Sequence, residues 1–212
     1  MGICAADRNQ TCLHGRVGAR PVFSHANHGV EFYRFPLVVR RLSGVEDRIH
    51  VLVSGTLLGT CGKLEPEEEV TVVGEVRTFN NRSGEGSRLI ISVFARAVRR
   101  EEGEDENRLE LTGTLCKPPS LRATPLGRTI CDMILAVNRR YGRADYLPCI
   151  SWGAIAQQTA LLDVGDSLCL EGRIQSRTYT KTLFGGQSEE RTAYEVSVMR
   201  PLAPEELLRD FF

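Results

Sequence analysis

The chain has 212 residues, a quarter of which are charged, and its 27 basic and 27 acidic side chains give a formal net charge of zero. Residues 13–100 and 111–200 are each mildly basic, whereas residues 101–110 hold six acidic side chains and one basic side chain. Mildly basic units permit a polyanionic partner but do not require one. The sequence shows no apolar stretch long enough to span a membrane and no signal-peptide pattern, so it predicts a cytoplasmic protein without a membrane partner.

The seven cysteines form no CxxC pair, and Cys131, Cys149 and Cys169 fall within strand-like runs. An odd number of cysteines without metal-site spacing is typical of small core residues in a reducing compartment. We therefore expect these three side chains to be buried thiols.

Five glycine pairs share one constant offset of 98 residues. Glycine is used where the backbone needs a positive φ or a close approach, so a shared glycine frame indicates two copies of one backbone path. The pairs are Gly15 and Gly113, Gly29 and Gly127, Gly44 and Gly142, Gly55 and Gly153, and Gly74 and Gly172. The sequence therefore predicts a first domain over residues 1–100, an acidic linker over 101–110, a second domain over 111–200 and a C-terminal tail over 201–212.

In the second copy, alternating apolar residues predict a first strand over residues 110–115. The remaining elements are predicted, in chain order, as strands over 129–138 and 146–152, a short helix over 154–162, and strands over 167–178 and 192–199. Gly172 is predicted to bend the long fourth strand. Between the last two strands we expect a hairpin whose length differs in the two copies.

The order β-β-β-α-β-β is typical of the OB-fold, a small Greek-key barrel of five strands that binds oligonucleotides or oligosaccharides on one face. The first copy keeps the same apolar frame, with Leu13 and Leu37 at the positions of Leu111 and Leu135. We therefore predict an all-β protein with one short helix per repeat, built as two tandem five-stranded OB-fold barrels.

The second copy contains five motif blocks, at residues 111–115 (LTGTL), 121–127 (LRATPLG), 135–139 (LAVNR), 151–153 (SWG) and 171–179 (EGRIQSRTY). In their order and spacing these blocks resemble the bacterial single-stranded DNA-binding protein family. The resemblance covers nearly all of the second repeat, whereas the first repeat joins it chiefly through the duplication. The related primosomal replication protein N shares the barrel and is a second possibility.

The resemblance implies binding of single-stranded DNA without strong sequence preference, in replication, recombination or repair, by stacking of bases on aromatic rings. Rings stand at four family positions in the second repeat, which are Tyr141, Tyr146, Trp152 and Tyr179. Every base has a π-face, so stacking tolerates any sequence. Arginines suited to phosphate contact lie among these rings, namely Arg122, Arg139, Arg140, Arg173 and Arg177. The alternative for each ring is burial in the barrel core, where aromatic side chains of strands commonly lie.

Three of the four family positions have no ring in the first repeat, where they are Ser43, Arg48 and Ser54. Only Phe79, reached by a two-residue shift, keeps an aromatic side chain. The basic side chains predicted to contact phosphates there are Arg41, Arg48 and Arg77. We therefore expect the second repeat to supply the base stacking and the first to bind mainly phosphates, unless other rings such as Phe32 or Tyr33 replace the missing ones.

No motif in the sequence supports catalysis. His25 and His28 are spaced like a metal pair, but they lack the neighbouring cysteine pair or the HExxH glutamate that makes such a motif specific. A Gly-rich phosphate loop and a Gly-x-Ser-x-Gly elbow are also missing from the sequence. We predict a protein that is not an enzyme, with no catalytic residues, no cofactor and no metal.

The resemblance further implies four barrels per working unit, so two barrels per chain imply a homodimer. It also implies that an acidic tail ending in phenylalanine recruits replication or recombination proteins; here the tail ends in Phe211 and Phe212, and packing of the tail on the barrel is the alternative. A function of another class stays open, because OB-folds host many functions. That alternative is a protein-interaction module that assembles a replication, primosome or DNA-transfer complex.

Overall fold

Two small β-barrels follow one another along the chain. The computed structural model describes residues 8–81, 89–139, 142–182 and 188–203. The first half contains β1 (Asn9–Val17), β2 (Val22–Asn27), β3 (Val30–Arg40), β4 (Glu46–Ser54), α1 (Gly55–Cys61), β5 (Glu69–Asn80) and β6 (Leu89–Arg100). The second half contains β7 (Glu106–Leu115), β8 (Ser120–Ala123), β9 (Thr129–Asn138), β10 (Ala144–Trp152), α2 (Gly153–Thr159), β11 (Ser167–Thr182) and β12 (Ser188–Pro201).

Five strands of each half close into a barrel. In the first half, β1 pairs with β5, β5 with β6, β6 with β4, β4 with β3, and β3 returns to β1 where Leu37 lies opposite Val17. The second half repeats this circuit with β7, β11, β12, β10 and β9. The prediction of an all-β protein with two tandem OB-fold barrels and one short helix per repeat is therefore confirmed.

Alternate side chains of the barrel strands point inward and fill each core, because successive residues of a strand face opposite sides. In β4, Ile49, Val51 and Val53 are fully buried, whereas Arg48 and His50 on either side of Ile49 are exposed. Each barrel wall thus has an apolar inner face and an outer face whose side chains are available to a ligand.

Each half carries one strand more than the sequence predicts. β2 and β8 pair only with β3 and β9, so they extend the barrel wall as the outer arm of a hairpin. Every residue of both strands is exposed, so neither strand has the buried alternate face that produces an apolar alternation. The predicted five-stranded closure holds, and the sixth strand is an appendage to it.

The long strands β5 and β11 bend at Gly74 and Gly172, where the pairing with β6 and β12 shifts register. A Cβ on Gly172 would lie 2.6 Å from the carbonyl oxygen of Ser197, so the close approach leaves no room for a side chain. The bend predicted at Gly172 is therefore present. The predicted helix is shorter than expected, because α2 ends at Thr159 and residues 160–162 belong to the connection between α2 and β11.

The acidic segment between the barrels is only partly a linker. Residues 106–110, which the sequence assigns to the linker, form the first half of β7 and pair with β1 from Gln10 to His14. Glu110 is accommodated there because Arg8 and Arg108 each donate a hydrogen bond to its carboxylate, at 2.7 and 3.0 Å. The β1–β7 pairing joins the strands of the two barrels into one continuous twelve-stranded sheet.

Cys131 and Cys149 are buried free thiols, as the sequence predicts, and burial raises the pKa of both. Cys169 is also buried but is disulfide-bonded, so the prediction of a thiol is wrong at that position. Within the described residues, neither helix is long and apolar enough to cross a membrane.

Candidate nucleic-acid interface

The outer face of β8, β9 and β10 carries the best-placed ring of the second barrel. Trp152 lies opposite Ile130 in β9, and Ile130 lies opposite Arg122 in β8, so the three side chains form one row across the wall. Trp152 is partly exposed. It ends β10 directly before Gly153, which begins α2 with a positive φ of 58°.

Tyr146 lies on the same outer face as Trp152, because the two residues are an even number of positions apart in β10. Its side chain is 56% exposed and lies opposite Ala136, a small residue that leaves the ring open to solvent. At about 3.3 Å per strand residue, the two rings are separated by about 20 Å. A strand of DNA crossing this wall would therefore meet both rings.

The third described ring of the set, Tyr179, lies beyond the barrel. It belongs to the arm formed by β11 and β12, where Tyr179 pairs with Arg191. The guanidinium of Arg177 lies 5.6 Å from the centroid of the Tyr179 ring, within cation–π range. Arg177 also pairs with Glu195 at 3.3 Å, and its side chain stays largely exposed.

The carboxylate of Asp47, which is fully buried, joins the first barrel to the second. Arg41 donates to both of its oxygens, at 2.6 and 2.7 Å. The backbone N–H and the hydroxyl of Ser176 in β11 donate to Asp47 Oδ1 at 2.7 and 2.8 Å. Arg41 in turn donates to the carbonyl oxygen of Ser176 at 2.9 Å, so an ion pair of one barrel holds the backbone of the other.

The same arrangement recurs 98 residues later with the barrels exchanged. Asp145 is fully buried and pairs with Arg139, and the N–H and hydroxyl of Thr78 in β5 donate to its Oδ1 at 2.6 and 3.0 Å. Arg139 donates to the carbonyl oxygen of Thr78 at 3.0 Å, and Arg77 reaches Asp145 at 3.3 Å. We call these two arrangements the interbarrel clamps, Asp47–Arg41–Ser176 and Asp145–Arg139–Thr78.

The interbarrel clamps correct three of the predicted phosphate contacts. Arg41, Arg77 and Arg139 are largely buried at the junction and ion-paired to Asp47 or Asp145. Burial alone would raise the pKa of both aspartates, but the arginine ion pairs and the hydrogen bonds from the opposite barrel outweigh it and lower the pKa below its ordinary value. The structure therefore gives these three arginines a role in holding the barrels together.

The remaining predicted site residues are divided among several places. Arg48 is exposed on the outer face of β4, and Arg122 is half exposed but ion-paired with Asp132 at 2.5 Å. Burial lowers the pKa of Arg173, whose Nε is buried without a hydrogen-bond partner among the described residues.

Phe79, on the arm formed by β5 and β6, is 39% exposed and has Arg139 5.8 Å from its ring centroid. The predicted residues Arg140 and Tyr141, and the tail residues Phe211 and Phe212, lie outside the described residues.

The structure also brings together rings of the first barrel that the sequence did not assign to the site. Phe32 lies 5.1 Å from His25 in a stacked arrangement and 5.8 Å from Phe94, measured between ring centroids. Tyr33, the neighbour of Phe32, packs against the core instead and donates its hydroxyl hydrogen to Glu31 at 2.8 Å. Because the three clustered rings come from β2, β3 and β6, no local spacing in the sequence could have predicted their contact.

Across the described ranges, no group of three or more histidine, cysteine, aspartate or glutamate side chains is placed to hold a metal ion. The candidate site is therefore a surface of rings and arginines on the outer barrel wall. A surface of this kind offers flat partners for stacking and cations for phosphate oxygens.

Comparison with known proteins agrees with this geometry. The model of the single-strand binding protein family matches residues 106–201. The single-stranded DNA-binding protein of Clostridium tetani is 39% identical over 80 residues, which is 34% of this chain and 55% of that protein. Single-stranded DNA-binding protein B of Bacillus subtilis is also 39% identical over 80 residues, which cover 71% of that protein. The match spans about half the length of the first curated relatives.

A solved structure resembles the whole chain. A deletion mutant of the single-stranded DNA binding protein from Thermus aquaticus aligns with a TM-score of 0.73 and 26% sequence identity, over 97% of this chain and 98% of that one. The likeness therefore includes the first barrel and the arrangement of the two barrels, which the sequence resemblance alone did not cover.

Proposed function

The chain belongs to the single-strand binding protein family, and from that premise we propose that it binds single-stranded DNA without strong sequence preference in replication, recombination or repair. The observation that carries the proposal is the placement of Trp152 and Tyr146 on one outer face of the second barrel. Both rings have surface open to solvent, and Arg122 lies in the same row as Trp152. Rings in these positions can stack on bases without unfolding the barrel.

Stacking explains why the proposed binding tolerates any sequence. Each base presents a π-face, and a base stacked on an aromatic side chain contributes about 1–3 kcal/mol whatever its identity. Hydrogen bonds to base edges would select particular bases, whereas a ring contacts the π-face that all bases share. Arg48 and Arg177 remain exposed and suited to phosphate oxygens.

A fluorescence titration with oligo-dT tests the proposal directly, because Trp152 is the only tryptophan. We expect quenching of its emission as bases stack on the ring, and weaker binding at higher salt because phosphate contacts release counterions. On single strands, each phosphate contact adds about 0.7 to the slope of log affinity against log salt. Equal affinity for duplex and single-stranded DNA, or affinity independent of salt, would favour the protein-interaction module instead.

We also propose that two chains associate, giving four barrels per working unit, and that the assembly acts in the cytoplasm. The family resemblance supports the dimer. Light scattering at micromolar protein concentration tests it, and a strictly monomeric mass would contradict it. Recruitment of replication or recombination proteins by the tail that ends in Phe212 is part of the same proposal, and it concerns residues outside those the structure describes.

A further inference from the structure

The three clustered rings of the first barrel, His25, Phe32 and Phe94, lie outside the barrel core. Phe32 is in contact with both of the others, at centroid separations of 5.1 and 5.8 Å. His25 is exposed, and Phe32 and Phe94 are partly exposed. The core beneath them is filled by other side chains, among them the buried Phe35. We call these three residues the first-barrel ring cluster.

The first-barrel ring cluster lies at the place that corresponds to Trp152 in the second barrel. Trp152 ends a row in which it lies opposite Ile130, which lies opposite Arg122. The matching row of the first barrel is Ser54, Phe32 and His25. Ser54 has no ring at the position of Trp152, but its neighbour across the strand pair, Phe32, supplies one. The aromatic surface has therefore moved by one strand and has not been lost.

Two arginines lie near the first-barrel ring cluster. The guanidinium of Arg96 lies 4.8 Å from the Phe94 ring centroid, although it is also ion-paired with Glu75. Arg34 lies two residues from Phe32 on the same outer face and is exposed; Arg48 is also exposed on that face but lies farther along, opposite Val38. Among the described residues, neither Arg34 nor Arg48 has a carboxylate within ion-pair distance.

The pKa of His50 supports this view of the charge on the outer face. His50 is on the same face of β4 as Arg48, and its pKa is lowered first by burial and then by the charges of Arg34 and Arg48. A ring with an exposed cation near it can stack a base while the cation holds the phosphate.

We propose that the first-barrel ring cluster is a base-stacking platform for single-stranded DNA, so that both barrels stack bases and not the second alone. The proposal rests on the proposed function of the whole chain. It replaces the expectation that the first repeat binds mainly through phosphates. It also assigns the base contact to strands β2, β3 and β6, whereas the second barrel uses the end of β10.

The test compares oligo-dT binding by the intact wild-type chain and by the double variant Phe32→Leu, Phe94→Leu. Anisotropy of a labelled oligonucleotide gives the affinity, and Trp152 quenching gives the number of nucleotides bound per chain. At about 1–3 kcal/mol per lost stacking contact, the double variant should bind about 5- to 150-fold more weakly. It should also cover fewer nucleotides per chain.

Phe23→Leu is the matched control. Phe23 is an exposed ring of the same β2–β3 hairpin, but it contacts Tyr33 and not the cluster. Its replacement should leave the affinity within about two-fold of wild type, as expected for a surface change away from the site. His25→Ala, at an exposed position, gives a second test of the cluster if the double variant fails to fold by circular dichroism.

The outcomes separate this proposal from the function on which it rests. If the wild type does not bind oligo-dT, the proposed function fails and the platform with it. If the wild type binds and Trp152→Ala weakens binding, the proposed function stands. In that case, the first-barrel platform would be rejected, and the proposed function kept, if the folded double variant or His25→Ala showed the affinity and site size of the wild type.

Discussion

Trp152 and Asp47 have contrasting surroundings. Trp152 is on the outer wall with one face open, whereas Asp47 is fully buried and receives hydrogen bonds from both barrels. A substitution of Trp152 should therefore affect DNA binding, and a substitution of Asp47 should affect the stability of the fold.

Trp152→Ala should weaken binding of oligo-dT by about 1–3 kcal/mol, because one stacking partner is removed. Folding should be retained, since the ring is not part of the barrel core. Anisotropy of a labelled oligonucleotide measures the loss, because the variant has no tryptophan. Leu161→Ala is the control, as Leu161 is exposed in the turn after α2. An unfolded Trp152→Ala variant would show that the ring is structural.

Asp47→Asn should lower the free energy of unfolding by about 3–5 kcal/mol, the usual cost of removing one partner of a buried ion pair. The charge of Arg41 would then remain at the junction without its counter-ion. Urea unfolding followed by circular dichroism measures the change. Asp132→Asn is the matched control, because its pair with Arg122 is exposed on both sides and should contribute less than about 1 kcal/mol. Equal costs for the two variants would contradict the assignment of the clamp.

The lowered pKa of Asp47 and Asp145 makes the stability depend on acid pH. Since the folded pKa lies below the unfolded value of about 3.9, the stabilisation is complete above about pH 4 and is lost as the pH falls through the folded pKa. The melting temperature should therefore fall steeply below about pH 4. The double variant Asp47→Asn, Asp145→Asn should show a shallower fall over the same range. Parallel melting curves for the two proteins would rule out this source of acid sensitivity.

At the scale of single residues, the sequence places Trp152 and Tyr146 in one strand and an even number of residues apart, which is enough to predict that they share a face. It gives no sign that Arg41 and Arg139 are ion-paired at the junction of the barrels. Each of these arginines receives its structural role from a residue of the other barrel, and Ser176 is 135 positions from Arg41. The residue pattern within one repeat therefore cannot predict that contact.

At the scale of elements, the strands with a buried face were predictable and those without one were not. β9 and β11 show the apolar alternation of a half-buried strand, and glycine marks the bend of β11. β2 has no buried residue, so only its pairing with β3 defines it. The sequence assigns the first half of β7 to the linker. Its strand structure depends on pairing with β1, about 95 residues earlier, which local sequence cannot predict.

Gly172→Ala tests the bend of β11. A Cβ there would lie 2.6 Å from a backbone oxygen, so the two strands must separate and the variant should lose about 1–3 kcal/mol of stability. Thermal unfolding measures the loss. Gly59→Ala is the control, because a Cβ on Gly59 in helix α1 meets nothing within 4 Å. That variant should be as stable as wild type or more stable by about 0.5–1 kcal/mol, since alanine favours the helix. Similar losses in both would argue against a tight approach at Gly172.

At the scale of the whole molecule, contacts between the two barrels should make them unfold together. The β1–β7 ladder and the two interbarrel clamps join them, so a cut at residue 107 would divide strand β7 and separate Asp47 from Ser176 and Asp145 from Thr78. Fragments made at that point would be poor reporters of what each barrel binds. The shares of the barrels in DNA binding are better measured by point variants in the intact chain.

Calorimetry of the intact chain should therefore show a single unfolding transition, with equal van't Hoff and calorimetric enthalpies, and not one transition for each barrel. The double variant Asp47→Asn, Asp145→Asn removes the negative charge of both clamps and keeps their arginines, while the β1–β7 ladder is unchanged. Its transition should move to lower temperature and broaden or divide as the barrels lose their coupling. The Asp132→Asn variant, altered in an exposed pair, should keep the single wild-type transition. Two separate transitions in the wild type would mean that the clamps and the shared sheet do not couple the barrels, and that each barrel presents its rings to DNA as an independent unit.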